Sequence, residues 1–227
     1  MILWRIKNWV GRLPLLGRLL GRLRWHRFDG SAAYWDARYR DGGDSGVGSQ
    51  GAFAAFKAEV LNAFVAERGV RSVVEFGCGD GRQLGLADYP RYLGLDVSEK
   101  VVDICRERFA EDATKTFRVY DPARFDPSSA RADLALSLDV VYHLVEDEVF
   151  ETYMRHVFVT ASRFAVIYST DRDERGSAPF IRHRRFSAWV EANCPGWALA
   201  CRIPNRLARR GDVIPDFYVF EKRTAHA

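Results

Sequence analysis

Val73-Val-Glu-Phe-Gly-Cys-Gly-Asp-Gly81 is followed closely by Tyr92-Leu-Gly-Leu-Asp96, and these two stretches decide the fold. Val73 to Phe76 is a β-branched and aromatic run of the kind that fits a buried strand. Gly77, Gly79 and Gly81 then allow a tight turn in which no Cβ blocks the close approach of a ligand. Asp96 ends the next apolar run, where a carboxylate can accept hydrogen bonds from ribose hydroxyls. Strand, glycine loop, helix, strand and acid in that order describe a nucleotide-cofactor cleft.

The spacing discriminates between cofactors. A dinucleotide fingerprint reads G-x-G-x-x-G, whereas this chain reads G-x-G-x-G with Glu75 two residues ahead of it. Glu75 and Asp80 would repel a pyrophosphate but suit a ligand carrying an ammonium and a sulfonium, as S-adenosylmethionine does. Glu75-Phe-Gly-Cys-Gly-Asp-Gly81 with Tyr92-Leu-Gly-Leu-Asp-Val-Ser98 resembles motif I and post-I of the class I S-adenosylmethionine-dependent methyltransferases, over roughly residues 51 to 221. The resemblance implies an α/β, Rossmann-like, doubly wound and mostly parallel seven-stranded sheet with helices on both faces. It also implies cofactor contacts from Glu75, Gly77, Cys78, Gly79, Asp96, Val97 and Asp139, and an acid, Asp121, offered to the adenine amino group.

Working outward, Ser98 is the expected N-cap for a helix carrying Val101, Val102, Cys105 and Phe109 at helical spacing. Upstream, Ala52 to Arg68 predicts a helix with Phe53, Phe56, Val60 and Phe64 as its core stripe. Thr116 to Tyr120 predicts a short strand, and Ala132 to Leu138, almost wholly apolar, a central parallel strand covered on both faces. Glu146-Asp-Glu148 fits the first turn of a helix as dipole partners, with Val149, Phe150, Tyr153, Met154 and Val157 buried. Phe164 to Ser169, Ala198 to Ile203 and Phe217 to Glu221 bring the strand count to seven.

For chemistry, His143 follows the fourth strand at the carboxyl end of the sheet, where open α/β folds bind ligands, and is the candidate general base. Packing or capping of that loop is the plain alternative for it. Asp139, four residues earlier, is placed either to orient His143 or to touch the cofactor; Tyr142 lines the pocket. Ser137-Leu-Asp-Val-Val-Tyr142 lacks the D/N-P-P-Y prolines of base-modifying amino methyltransferases, which disfavours nitrogen methylation of bases. Asp139 with Asp171 could imitate a magnesium pair, but without a neighbouring Asp-Asn no metal is expected. Arg182-His-Arg-Arg-Phe186 is a basic cluster that could face an anionic acceptor.

The expected organisation is a basic amphipathic extension over residues 1–28, a flexible lid-like glycine- and serine-rich segment over 29–50, and a methyltransferase domain over 51–227. The extension carries Arg5, Lys7, Arg12, Arg18, Arg22, Arg24 and Arg27 and no acid, so removing those seven charges from the net +4 leaves −3. Its leucines and Trp4, Trp9 and Trp25 suit a helix lying on an anionic membrane surface; packing on the enzyme body is the alternative, and nucleic acid is disfavoured because arginines alternate with leucines. It lacks the uninterrupted apolar length to span a bilayer and the cleavage site of a signal peptide. Cys78, Cys105, Cys194 and Cys201 have no C-x-x-C spacing and read as buried, reduced thiols of a cytoplasmic protein, peripheral on the inner membrane surface if the extension binds there. The expected activity is O-methylation of a small-molecule, glycan or lipid-linked acceptor. A nicotinamide-dependent dehydrogenase and a non-catalytic cofactor-binding or partner module are the rival readings.

Overall fold

A computed structural model describes residues 28–209 and 211–223. Most of the basic extension therefore lies outside the described residues. The centre is a seven-stranded sheet built from β1 (Val73–Phe76), β2 (Tyr92–Asp96), β3 (Lys115–Val119), β4 (Ala132–Leu138), β5 (Ala161–Ser169), β8 (Trp197–Ile203) and β9 (Asp216–Lys222). Their spatial order is β3-β2-β1-β4-β5-β9-β8. The first five pair in parallel, and β9 runs antiparallel between β5 and β8. A small hairpin of β6 (Glu174–Arg175) and β7 (Arg182–His183) stands apart.

The order reverses direction at β1, with β2 on one side and β4 on the other. That switch point opens a crevice beyond the carboxyl ends of the strands, the usual ligand position in such sheets. β1 and most of β4 are buried, as expected for strands covered on both faces. One core layer holds Val74, Phe76, Ala135 and Ile167 against Met154 and Val157 of α4 (Asp147–Thr160). The opposite layer holds Val73, Leu134, Leu136 and Val166 against Leu61 and Val65 of α2 (Gly51–Glu67) and Val102 and Cys105 of α3 (Glu99–Arg108).

α2 departs from the expected stripe. Its buried residues are Ala54, Phe56, Lys57, Ala58, Leu61 and Val65, whereas Phe53, Val60 and Phe64 are half-exposed. The two alanines let the helix approach the sheet closely, and the rotated face carries a lysine inward.

The segment expected to be a flexible lid has built structure. α1 (Ser31–Arg40) is followed by a short 3-10 turn, Val47–Ser49, that leads into α2. The Ser31 amide and hydroxyl donate to the Glu146 carboxylate at 2.8 and 2.5 Å, and the Ser31 hydroxyl accepts from the Val145 amide at 3.0 Å. Ser98 donates its hydroxyl to Asp36 at 2.9 Å, and the Asp80 amide donates to the Ser45 hydroxyl at 2.9 Å. Ser31 and Ser45 thus tie the segment to the loops at the rim of the sheet.

Candidate active site

The glycine loop is held at the switch point by its own backbone. The Gly77 and Cys78 amides both donate to the Leu95 carbonyl, at 2.7 and 3.1 Å. Gly77 and Gly79 have φ of 79° and 56°, a region that L side chains rarely adopt, so a Cβ at either position would be strained. Beneath the loop, the Tyr153 hydroxyl bridges the Phe76 carbonyl at 3.0 Å and the Ser137 hydroxyl at 2.7 Å, tying β1 to β4.

Asp96 is buried at the end of β2. Its carboxylate accepts the Gly79 amide at 3.0 Å and the Ser98 amide at 3.1 Å. Burial pushes its pKa up to about 6, against the lowering effect of those amides. A carboxylate has about four lone-pair sites, so two remain for ribose hydroxyls. Glu75 is buried in β1 and accepts the Tyr92 hydroxyl at 2.6 Å; burial pushes it up to about 7. Asp80 takes the Arg82 amide at 3.2 Å and stays with the loop and its covering segment rather than with the cleft.

One cavity occupies the crevice. Its wall includes Gly77, Cys78, Gly79, Asp96, Val97, Glu75, Asp139 and His143 from the residues expected at the site. Asp121 is not among them. Its carboxylate caps the Ala123 amide at 3.0 Å and lies near Arg124, because a turn closes immediately after β3. Tyr120 and Pro122 on either side of it line the cavity instead.

Asp139 and His143 do not form the expected pair. Asp139 has φ 60°, a left-handed conformation that aspartate tolerates better than most residues, and its amide donates to the Tyr168 carbonyl. Its carboxylate takes Lys57 Nζ at 2.7 Å and the Tyr142 hydroxyl at 2.9 Å. His143, in a 3-10 turn spanning Val141–His143, places Nδ1 3.0 Å from the Phe180 carbonyl. A carbonyl only accepts, so Nδ1 carries the proton and Nε2 keeps its lone pair. Burial pushes the His143 pKa down to about 4, so the ring is neutral at physiological pH. Trp35 meets the ring edge-on at 4.7 Å.

The basic cluster is largely committed to structure. Arg184 is buried and donates to the Leu144 and Val145 carbonyls and to Asp147 at 3.1, 2.8 and 2.6 Å. Arg182 joins it on Val145 and Asp147, and Arg185 alone of the three is exposed. Arg182 and Arg184 clamp the loop between β4 and α4, so their charge is spent on structure. Asp171 accepts the Ser187 amide and hydroxyl at the start of α5 (Phe186–Asn193), far from imitating a metal ligand. Among the described residues, no group of three or more His, Cys, Asp or Glu is arranged to hold a metal ion.

Lys57, Ser31 and Gln83 are site residues that the sequence does not single out. A signal for Lys57 existed in the small-residue spacing Ala54, Ala58, Leu61 and Val65, which puts position 57 on the buried face. Glu146 reads as a dipole partner in sequence but also latches α1, a long-range contact that local pattern does not carry.

Sheet order, glycine loop and acid-lined crevice together define a class I S-adenosylmethionine-dependent methyltransferase domain, and residues 73–160 match the family model described as a methyltransferase domain. The residues present fit the cofactor: the glycine turn, the free lone pairs of Asp96, and a wall with more carboxyls than cations. Among known proteins, the tRNA (carboxymethyluridine(34)-5-O)-methyltransferase of Xenopus tropicalis is 22% identical over 139 residues, 58% of this chain and 21% of that protein. This chain thus spans about a fifth of the length of that relative. The N-methyltransferase NodS of Bradyrhizobium japonicum, solved with S-adenosylhomocysteine, superposes with TM-score 0.61 at 14% identity, over 76% of this chain and 88% of that one. Magnesium protoporphyrin IX methyltransferase of Synechocystis gives TM-score 0.57 at 18% identity, over 74% and 83%. These structures share the fold. Their acceptors differ, so the sequence argument against nucleic acid gains no support from them.

Proposed function

We propose that this chain transfers the methyl group of S-adenosylmethionine to an oxygen of an acceptor admitted beside His143. The observation that carries the oxygen assignment is the state of His143: neutral, with Nδ1 tied to a carbonyl and Nε2 left to accept a proton. A hydroxyl acceptor needs such a group, whereas a carboxylate, already ionised at neutral pH, and a neutral amine do not. The curated relative's name, which denotes transfer to oxygen, agrees with this.

Bound in the crevice, S-adenosylmethionine supplies an electrophilic methyl group on a sulfonium for in-line transfer. Asp96 would hold the ribose side and the Gly77–Gly79 turn would allow close backbone approach, with Tyr120 and Pro122 on the wall that would take the adenine. His143 would take the proton from an acceptor hydroxyl through Nε2. α1, latched through Ser31 to Glu146, excludes water over the crevice, and much of the acceleration comes from holding the two reactants in line. Lys57 and Tyr142 fix Asp139 at the acceptor side.

The acceptor is assigned as a small molecule, glycan or lipid-linked group. The basic extension, outside the described residues, supports a peripheral contact with an anionic membrane surface. Among the described residues no helix is long and apolar enough to cross a membrane. Isothermal calorimetry with S-adenosylmethionine and with NAD, followed by transfer of labelled methyl to a panel of oxygen and nitrogen acceptors and to RNA, tests the assignment. Heat with NAD alone would favour the dehydrogenase reading; labelled RNA or amine products alone would replace the oxygen assignment.

A further inference from the structure

Three buried side-chain polar atoms among the described residues have no hydrogen-bond partner: Gln83 Oε1, Thr160 Oγ1 and Arg172 Nε. Of their three residues, only Gln83 lines the crevice. Gln83 is 7% exposed and follows the glycine loop directly. Its amide orientation is determined by chemistry, because Nε2 lies 3.1 Å from the Ala54 carbonyl, which can only accept. The oxygen is therefore the free end. A buried acceptor without a partner costs about 1–3 kcal/mol, so its retention on a ligand wall points to a donor that arrives with the ligand.

Which part of the ligand arrives there follows from the sheet order. Asp96 ends β2, and Tyr120 and Pro122 follow β3, so the adenosine side lies over β2 and β3. Gln83 bonds to α2 instead, one helical turn from Lys57, whose ammonium is paired to Asp139 just beyond β4. That is the opposite end of the crevice, where the amino-acid part of the cofactor would lie. The charged lining residues are Glu75, Asp96 and Asp139 against Lys57, an excess of carboxyls that favours a cationic donor.

We propose that Gln83 Oε1 accepts a hydrogen bond from the α-ammonium of the methyl donor and of its product, making Gln83 a cofactor-binding residue that selects for the amino-acid end. The proposal rests on the S-adenosylmethionine reading above. It concerns binding, and no covalent step is attached to it.

The test is a cycle of ligand and residue changes on the full chain by calorimetry. The ligands are S-adenosylhomocysteine, its deamino analogue, which keeps the carboxylate, and 5′-methylthioadenosine, which lacks the whole amino-acid part. Wild type should bind S-adenosylhomocysteine about 10- to 100-fold tighter than the deamino analogue, the range of a charge-assisted hydrogen bond. Gln83→Met should lose most of that preference while binding 5′-methylthioadenosine as wild type does. Gln83→Asn, which keeps the amide but withdraws the oxygen by one methylene, should behave in the same way. No preference in wild type, or an equal preference in wild type and variants, overturns the proposal. Equal weakening of all three ligands in the variants also overturns it, since Gln83 would then act on the loop. If wild type binds none of the three, the S-adenosylmethionine reading itself fails.

Discussion

The pair Lys57–Asp139 joins the stability of the domain to the geometry of its acceptor side, and its removal can be predicted in some detail. Lys57 is 1% exposed and Asp139 16%, with 2.7 Å between Nζ and Oδ2. Removing one partner of a buried pair costs about 3–5 kcal/mol, because the other charge stays buried without compensation. Lys57→Met leaves Asp139 only the Tyr142 hydroxyl, and Asp139→Asn leaves Lys57 a neutral amide oxygen in place of its paired charge, with the Tyr168 ring 5.4 Å away and the Glu75 carboxyl nearby. Each single variant should therefore lose about 3 kcal/mol, or about 6–12 °C in melting temperature for a chain of this size. The double variant Lys57→Met/Asp139→Asn removes both charges, and asparagine tolerates the left-handed backbone at 139. It should lose about 1–2 kcal/mol, giving a coupling energy of about 4 kcal/mol in a urea-denaturation cycle at pH 7.5. Additivity of the two single losses within about 0.5 kcal/mol would refute the buried-pair argument. Turnover of the double variant would report separately whether Asp139 matters to the acceptor.

His143→Ala should lower turnover about a hundredfold or more while leaving S-adenosylmethionine affinity unchanged; a fully active variant would make the residue structural. Because burial holds His143 near 4, kcat at saturating cofactor should show no inflection between pH 6 and 8 from this group and should fall only as pH approaches about 4. The same residue contributes stability that is fully present above its unfolded value of about 6.5 and is lost as pH falls from there towards 4, which acid titration of the fold can follow. Asp96→Ala should weaken S-adenosylmethionine binding by about 1–3 kcal/mol through loss of charge-assisted bonds to ribose. Wild-type affinity should also decline as pH drops through about 6, where Asp96 takes a proton, and calorimetry should find that dependence missing from the variant. Ser31→Ala removes both hydroxyl bonds that tie the start of α1 to Val145 and Glu146, so amide hydrogen exchange in residues 31–40 should accelerate, with unchanged protection refuting the latch. Deleting residues 1–28 should abolish co-sedimentation with anionic liposomes; equal binding of both chains would end the membrane assignment.

The sheet was legible because its signals are local. Val73–Phe76, Tyr92–Asp96 and Ala132–Leu138 coincide with the expected strands, the other four strands of the sheet differ from expectation only at their ends, and the short β6–β7 hairpin has no counterpart among the expected strands. The glycine loop and Asp96 were legible for the same reason: a tight turn needs glycine and a strand end needs little context. In α2 the expected stripe holds only in part: Phe56 is buried and Val60 and Phe64 pack on the core's edge, while the closest face is chosen by the small Ala54 and Ala58. Asp121 was placed by family likeness, and a two-residue turn on its own side chain takes it off the cavity wall.

By itself, then, the sequence determined the order of strands and loop and the chemistry of the cofactor turn, since these depend on residues close in the chain. Only the tertiary structure decided the partners. Asp139 meets Lys57 from 82 residues away rather than His143 at four, and Glu146 meets Ser31 across 115. Arg182 and Arg184 spend their charge on the loop after β4, and Gln83 is left with one buried oxygen unpaired. Each of these follows from which polar groups the packed layers bring within hydrogen-bond distance, a consequence of three-dimensional burial that no local spacing encodes.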